Sequence, residues 1–151
     1  MFFTSYIEAA FKEAEKAALK NEFPIGAVIV SPSGKIISRT HNLVQTNHDP
    51  TAHAEILALR DAAEKTGNER LYDHDMYVTL EPCTMCAGAI SHARIRRLYY
   101  AAEDAKGGAI SSGVRFFDAE TCLHKPEFYY PFEEERAAKM LKDFAKGLRK
   151  C

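Results

Sequence analysis

No stretch of the sequence approaches the roughly 20 consecutive apolar residues that a membrane-spanning helix requires, so no membrane association is expected. There is no internal repeat, no low-complexity tract and no linker-like run, hence no sign of a solenoid or of a second unit. An excess of charge of one sign is also missing. Twenty Lys and Arg stand against 21 Asp and Glu, a formal net charge of −1. A chain so balanced is not a general electrostatic trap for nucleic acid, and any such site must be a local patch. Cysteine is scarce, at four. Two disulfides are disfavoured against metal binding, because a Cys-x-x-Cys accompanies a His-x-Glu. Cys122 reads as packing and Cys151 as a free C-terminal residue. Met1-Phe2-Phe3-Thr4 passes at once into an acidic, amphipathic stretch, which is not the pattern of a signal peptide, so the cytoplasm is the expected location. What remains is a globular composition, 46% hydrophobic and 27% charged, in 151 residues. That is the length of one domain, 1–151, able to bury most of its apolar surface.

Two short stretches organise the rest. His53-Ala54-Glu55 and Pro82-Cys83-Thr84-Met85-Cys86 together read His-x-Glu, then Pro-Cys-x-x-Cys. His53, Cys83 and Cys86 are the ligand types that suit Zn²⁺. Structural zinc sites close with four protein ligands, whereas catalytic ones keep a position for water. Three ligands are on offer, with Glu55 left over two residues from one of them. A zinc held there would bring the pKa of water toward neutrality, and Glu55 is placed to carry the proton to a leaving group. A thioredoxin-like redox pair would use Cys83 and Cys86 but leaves the His53-x-Glu55 pair unexplained.

Read in order, the chain alternates helices and strands. Ile7, Ala10, Phe11, Ala14, Ala17 and Ala18 share one face of a helix over about Thr4–Asn21, with Ser5 and Glu8 as a capping box and Asn21 before Pro24 as the stop. Gly26–Val30 and Lys35–Thr40 flank the turn residues Ser31-Pro32-Ser33-Gly34, which predicts an antiparallel hairpin. His41–Pro50 is a polar loop. A second helix is expected over Thr51–Thr66, capped by Asp49 or Thr51 and stopped by Gly67. Met76–Leu80 is a strand. Pro82 then opens a helix at the position where proline is tolerated, putting Cys83 and Cys86 on one face of its first turn. The positive end of that helix favours both thiolates. Ala87, Gly88 and Ala89 allow close packing on a neighbour.

Leu98–Ala101 is a fourth strand, preceded by Arg94, Arg96 and Arg97, which read equally as solvated charge or as an interaction surface. Glu103–Gly108 follows at the carboxyl end of that strand, where α/β sheets place ligand sites. Ala109–Lys125 carries helical fragments, two adjacent phenylalanines and loop signals without clear periodicity. Phe128–Tyr130 is a short fifth strand whose aromatics are expected in the core, with base stacking as the alternative if they are exposed. A last helix spans Phe132–Arg149, acidic at its start and basic at its end (Lys146, Arg149, Lys150), in accord with the macrodipole. This order gives a three-layer α/β/α domain on a mixed sheet of about five strands.

His-x-Glu followed by Pro-Cys-x-x-Cys is the signature of the zinc-dependent nucleobase deaminases. The wider text, Asp49-Pro50-Thr51-Ala52-His53-Ala54-Glu55 and Tyr77 to Ala89, closely resembles the bacterial tRNA-specific adenosine deaminases, from about Pro24 to about Gly113. The resemblance implies a cytidine-deaminase-like fold, one Zn²⁺ per subunit on His53, Cys83 and Cys86, and a homodimer with the zinc sites near the interface. It implies hydrolytic conversion of adenosine to inosine at the wobble position of a tRNA anticodon stem-loop, with Glu55 as the acid/base. Asn42 and the Ala54 backbone would hold the nucleoside, Pro24 would lie near the base, and Asp104 and Lys106 near the RNA. The resemblance also implies that substrate preference resides in Ala109–Lys125. Three rivals stay open here: a deaminase of free guanine, cytosine or cytidine, a non-catalytic zinc-stabilised RNA-binding module, and a subunit that needs a different partner chain.

Overall fold

The computed structural model describes residues 2–149; Met1, Lys150, Cys151 and the side chains of Phe2, Phe3, Thr4, Leu148 and Arg149 lie outside that description. Four helices and five strands follow one another as α1 (Phe2–Leu19), β1 (Gly26–Val30), β2 (Ile36–His41), α2 (Ala54–Thr66), β3 (Asp75–Leu80), α3 (Thr84–His92), β4 (Arg97–Ala102), β5 (Glu127–Tyr129) and α4 (Glu134–Arg149). The strands form one mixed sheet in the order β2-β1-β3-β4-β5. β1 runs antiparallel to β2 and β3, while β3, β4 and β5 are parallel.

Side-chain alternation along the strands builds two cores, one on each face of the sheet. Ala27, Ile29, Met76, Val78, Leu98 and Tyr100 face α2 and α3, meeting Ala58, Leu59 and Ala62 of the first and Ala87 and Ile90 of the second. The alternate residues Val28, Val30, Tyr77, Tyr99 and Ala101 face the other way, onto Ile7 and Phe11 of α1 and Ala137 of α4. This is the expected α/β/α sandwich. β1, β3 and most of β4 are buried because they are covered on both faces. Gly26 lets α1 lie directly on β1, since a Cβ there would come within 2.1 Å of the Ala10 carbonyl oxygen.

Four details depart from the sequence expectation. The capping box does not form: α1 begins at Phe2, Ser5 lies inside it, and Glu8 instead pairs with Arg136 of α4. α2 is capped by neither Asp49 nor Thr51 but begins after His53. Asp49 Oδ1 accepts from the backbone N–H and hydroxyl of Thr51, at 2.9 and 2.7 Å, forming a turn that precedes the helix. Pro82 stands one place before the cap of α3 rather than inside it, because Cys83 occupies the cap. Finally, β5 is an edge strand and its aromatics are not core: Phe128, Tyr129 and Tyr130 are each more than a third exposed. Their rings lean over the neighbouring strand, Tyr129 on Tyr99 and Tyr130 on Tyr100, with centroids 5.2 and 4.9 Å apart.

Candidate metal centre and cleft

The sequence folds so that two helices begin at the same place. His53 caps α2 and Cys83 caps α3, both in extended backbone and neither using its side chain to bond its own helix. The cap position thus aims both side chains away from the helices and toward each other. Cys86, one turn into α3, completes the cluster. His53 Nδ1 lies 3.6 Å from Cys83 Sγ and 3.5 Å from Cys86 Sγ. In a tetrahedral zinc site, Zn–S and Zn–N bonds of ordinary length put S and N about 3.6 Å apart. The cluster therefore has the donor set of a zinc site, and both of its sulfur–nitrogen distances have tetrahedral spacing. Among the described residues it is the one group of His, Cys, Asp or Glu gathered closely enough to hold a metal ion.

Electrostatics follow from burial and from the two positive helix ends. Cys83 is lowered to about 4, chiefly by the hydrogen bond from the Cys86 thiol and also by His53, against the effect of burial. Cys86 is pushed up, first by that same hydrogen bond and then by burial and the Glu55 charge. The opposite shifts favour the thiolate at Cys83, the less buried of the two. His53 is raised by its hydrogen bond to Cys83, although burial works the other way. A divalent cation offsets the charge of both thiolates.

Glu55 sits in the first turn of α2, almost wholly buried. Burial pushes its carboxyl up to about 7, with the Cys83 charge acting in the same direction. A carboxyl poised near neutrality beside a metal cluster is suited to give and take protons.

His53 opens onto a cleft of about 750 Å³. Its walls include Glu22, Phe23 and Ile25 from the segment before β1, Asn42, Val44, Gln45 and Pro50 from the loop before α2, Glu103, Asp104, Ala105 and Lys106 from the loop after β4, and Leu141 of α4. Three of the sequence candidates, Asn42, Asp104 and Lys106, are thus brought together with His53. Asn42 is buried, and its Oδ1 accepts from the Ala54 N–H at 2.7 Å. The Ala54 carbonyl accepts from the Thr40 hydroxyl at 2.7 Å, so both polar groups of Ala54 are engaged within the protein. Asp104 Oδ1 accepts from the Lys106 and Gly107 N–H groups, each at 3.1 Å, which shapes the loop that carries it. Pro24 lines a separate cavity of about 400 Å³ between the end of α1 and α4.

No residue of the stretch 109–125 lines the cleft. Ala109, Ile110, Phe117 and Cys122 are core, and a single 3₁₀ turn spans Phe116–Asp118. His124 is tied inward, its Nε2–H donating to the Ile95 carbonyl at 2.7 Å. Arg96 and Arg97 are paired with Asp75 and Glu127. Sequence reasoning overlooked Glu22 and Glu81, two buried carboxylates, the first in the cleft wall itself and the second behind the loop after β4. Their partners are backbone N–H groups more than 20 residues away, for which no sequence signal exists.

The zinc-binding region of cytidine and deoxycytidylate deaminases matches residues 3–102 of this chain. The chain belongs to the cytidine and deoxycytidylate deaminase family. Zinc is the cofactor of that family region, and the donor set of His53, Cys83 and Cys86 fits it. A tRNA-specific adenosine deaminase of Agrobacterium fabrum is 52% identical over 146 residues, 97% of this chain and 95% of that protein. A solved structure from a study of A-to-I editing by tRNA:A34 deaminases at the wobble position of transfer RNA superposes with a TM-score of 0.89 at 54% identity, covering 91% of this chain and 99% of that one. A guanine deaminase from Bacillus subtilis shares the fold more distantly, with a TM-score of 0.65 and 31% identity over 98% of this chain and 94% of that one. The α/β/α architecture is that of these deaminases.

Proposed function

We propose that this chain hydrolyses adenosine to inosine and ammonia at the wobble position of a tRNA anticodon, and that residues 1–151 act as one catalytic domain. The observation that carries the reading is the cluster of His53, Cys83 and Cys86, with Glu55 buried two residues from His53, and His53 itself lining an open cleft. The likeness to tRNA-specific adenosine deaminases along nearly the whole chain supports RNA over a free base as substrate.

His53 Nδ1 and the two thiolates would hold Zn²⁺, which when bound would supply water activated at neutral pH. Glu55 does the proton work. It takes one proton from the attacking water and passes it to the ring nitrogen as the hydroxyl adds at C6, then takes the second proton from that hydroxyl and passes it to the amine, so that the C6–N bond breaks, ammonia leaves and the C6 carbonyl forms. Asn42 orients the base. With Oδ1 committed to Ala54, its NH₂ is the group left to donate to a ring nitrogen. Ala54 therefore acts on the substrate through Asn42.

The reacting carbon is unreachable in a base stack, so the adenosine must be flipped out of a single-stranded loop. The cleft is suited to an anticodon stem-loop because it is open and extends well past the metal cluster. Lys106 supplies a positive charge at its edge, and Phe23, 54% exposed and backed by Phe144 at 5.3 Å, supplies a stacking face.

The protein works as a homodimer. The apolar groove between α2 and α3, about 470 Å³ and lined by Ile56, Leu59, Ala63, Ala89 and Ala93 with Arg60, Glu69 and His92, is the surface on which a second copy packs. That places the metal-bearing helices beside the partner. Among the described residues, no helix is long and apolar enough to cross a membrane.

The direct test is to incubate the zinc-loaded protein with a tRNA carrying a wobble adenosine and, in parallel, with free guanine, cytosine, cytidine and adenosine. The reading requires inosine in the digested RNA and no ammonia from the small molecules. Ammonia from a free base with no inosine in the RNA would overturn it.

A further inference from the structure

Each loop wall of the cleft hangs from one buried carboxylate. Glu81, 3% exposed, sits between the end of β3 and Cys83. Its Oε1 accepts from the Asp104 N–H at 2.9 Å, and its Oε2 accepts from the N–H groups of Ile110, Ser111 and Ser112, each at 2.9 Å. Four backbone donors use the full accepting capacity of a carboxylate. The loop wraps this group so tightly that Gly108 has no room for a side chain: a Cβ there would lie 2.4 Å from Glu81 Cδ.

Glu22, 1% exposed, does the same for the opposite wall. Its Oε1 accepts from the Gln45 N–H at 3.1 Å, and its Oε2 accepts from the N–H and hydroxyl of Thr46 at 2.6 and 2.7 Å. The first loop carries Asp104 and Lys106 into the cleft, and the second carries Val44, Gln45 and Pro50.

We propose that Glu22 and Glu81 are positioning residues for substrate recognition, holding the two loop walls at the separation that a single-stranded RNA loop requires. The proposal rests on the RNA reading above. Neither residue needs to touch the reacting atoms. Every partner recorded for them is an N–H or O–H donor, so a group that only accepts is required in both places. An amide of the same shape fails selectively. In Glu81→Gln the carbonyl oxygen can keep the three donors at Ile110, Ser111 and Ser112, and the NH₂ then faces the Asp104 N–H. Donor meets donor at the end of the loop that borders the cleft. The zinc cluster, built on the starts of α2 and α3, keeps its own support.

The test compares Glu81→Gln, Glu22→Gln and Glu81→Asp with the native protein. Zinc content is measured together with kcat and KM for inosine formation on an anticodon stem-loop with a wobble adenosine. The glutamine variants are expected to keep one zinc per chain and a kcat within about threefold, while KM rises about tenfold or more. Glu81→Asp, which restores an acceptor with a shorter reach, should recover part of the KM. A native KM in both glutamine variants, or a loss confined to kcat and zinc, would overturn the proposal.

Amide hydrogen exchange in the native protein gives a readout independent of whether the variants fold. Asp104, Gln45 and Thr46 must show protection well above that of other loop amides, and free exchange there would contradict the anchoring. If the native protein makes no inosine, the RNA reading fails, and the same variants are then judged by KM on whichever base reacts.

Discussion

Glu55 shows how one residue's setting decides its chemistry. At the start of a helix a carboxylate is ordinarily ionised and favoured by the dipole. Here burial dominates and raises it to about 7. Glu22 shows the opposite balance. Burial alone would raise it, yet the hydrogen bonds from Thr46 and Gln45 outweigh burial and hold it below the usual carboxylate range. A depressed folded-state pKa adds stability that is complete above the unfolded value, near 4.5, and is lost as pH falls through the folded value. Glu22→Gln should therefore lower the melting temperature at pH 7, and its deficit should shrink as pH falls below about 4.5. Thermal unfolding from pH 7 to pH 3 reads this directly, and a deficit that stays constant with pH would count against it.

Gly108→Ala should destabilise by about 1–3 kcal/mol in denaturant unfolding, because the added Cβ collides with Glu81 and with the Asp104 carbonyl. At this scale the metal ligands were legible in the sequence, since two short spacings fix their chemistry. Glu22 and Glu81 were not, because a carboxylate's role depends on which distant N–H groups fold around it.

At the scale of elements, the site is a meeting of two helix starts. Sequence patterning located α2 and α3 but gave the cap of α2 to Asp49 or Thr51 and the opening of α3 to Pro82, whereas the fold gives the cap positions to His53 and Cys83. Function takes precedence there over helix stability: ligand side chains replace capping hydrogen bonds. The edge strand β5 was placed within a residue, yet its burial was misjudged, because being on an edge is a property of strand order.

α4 is held to α1 by Arg136. The guanidinium donates to both carboxylate oxygens of Glu8, at 2.6 and 3.2 Å, and lies 4.2 Å from the centroid of the Phe11 ring. A partly exposed pair of this kind, with the ring contact, is worth about 1–2 kcal/mol. Arg136→Ala should lose about that much in urea unfolding, with part of the difference disappearing at high salt. α4 also supplies Leu141 to the cleft, so the same variant should raise KM for the RNA hairpin. An unchanged urea midpoint would show that α4 is held by its apolar face alone.

For the whole molecule, the alternation of strand residues builds both cores from one sheet, and that pattern was readable because β1, β3 and β4 are strongly apolar. The assembly was not readable from it. If the proposed dimer packs on the groove between α2 and α3, Ala89→Arg, which places a charge in that groove, should yield a monomer in analytical ultracentrifugation. A dimer that persists in Ala89→Arg would move the interface elsewhere.

The central claim is that one cluster holds zinc while Glu55 moves the protons. It is tested most directly by measuring zinc stoichiometry and inosine formation on the same preparation of Glu55→Ala. The account predicts one zinc per chain and a turnover reduced about 10²–10⁴-fold, with Cys83→Ala losing both metal and turnover. Near-native turnover in Glu55→Ala would contradict it.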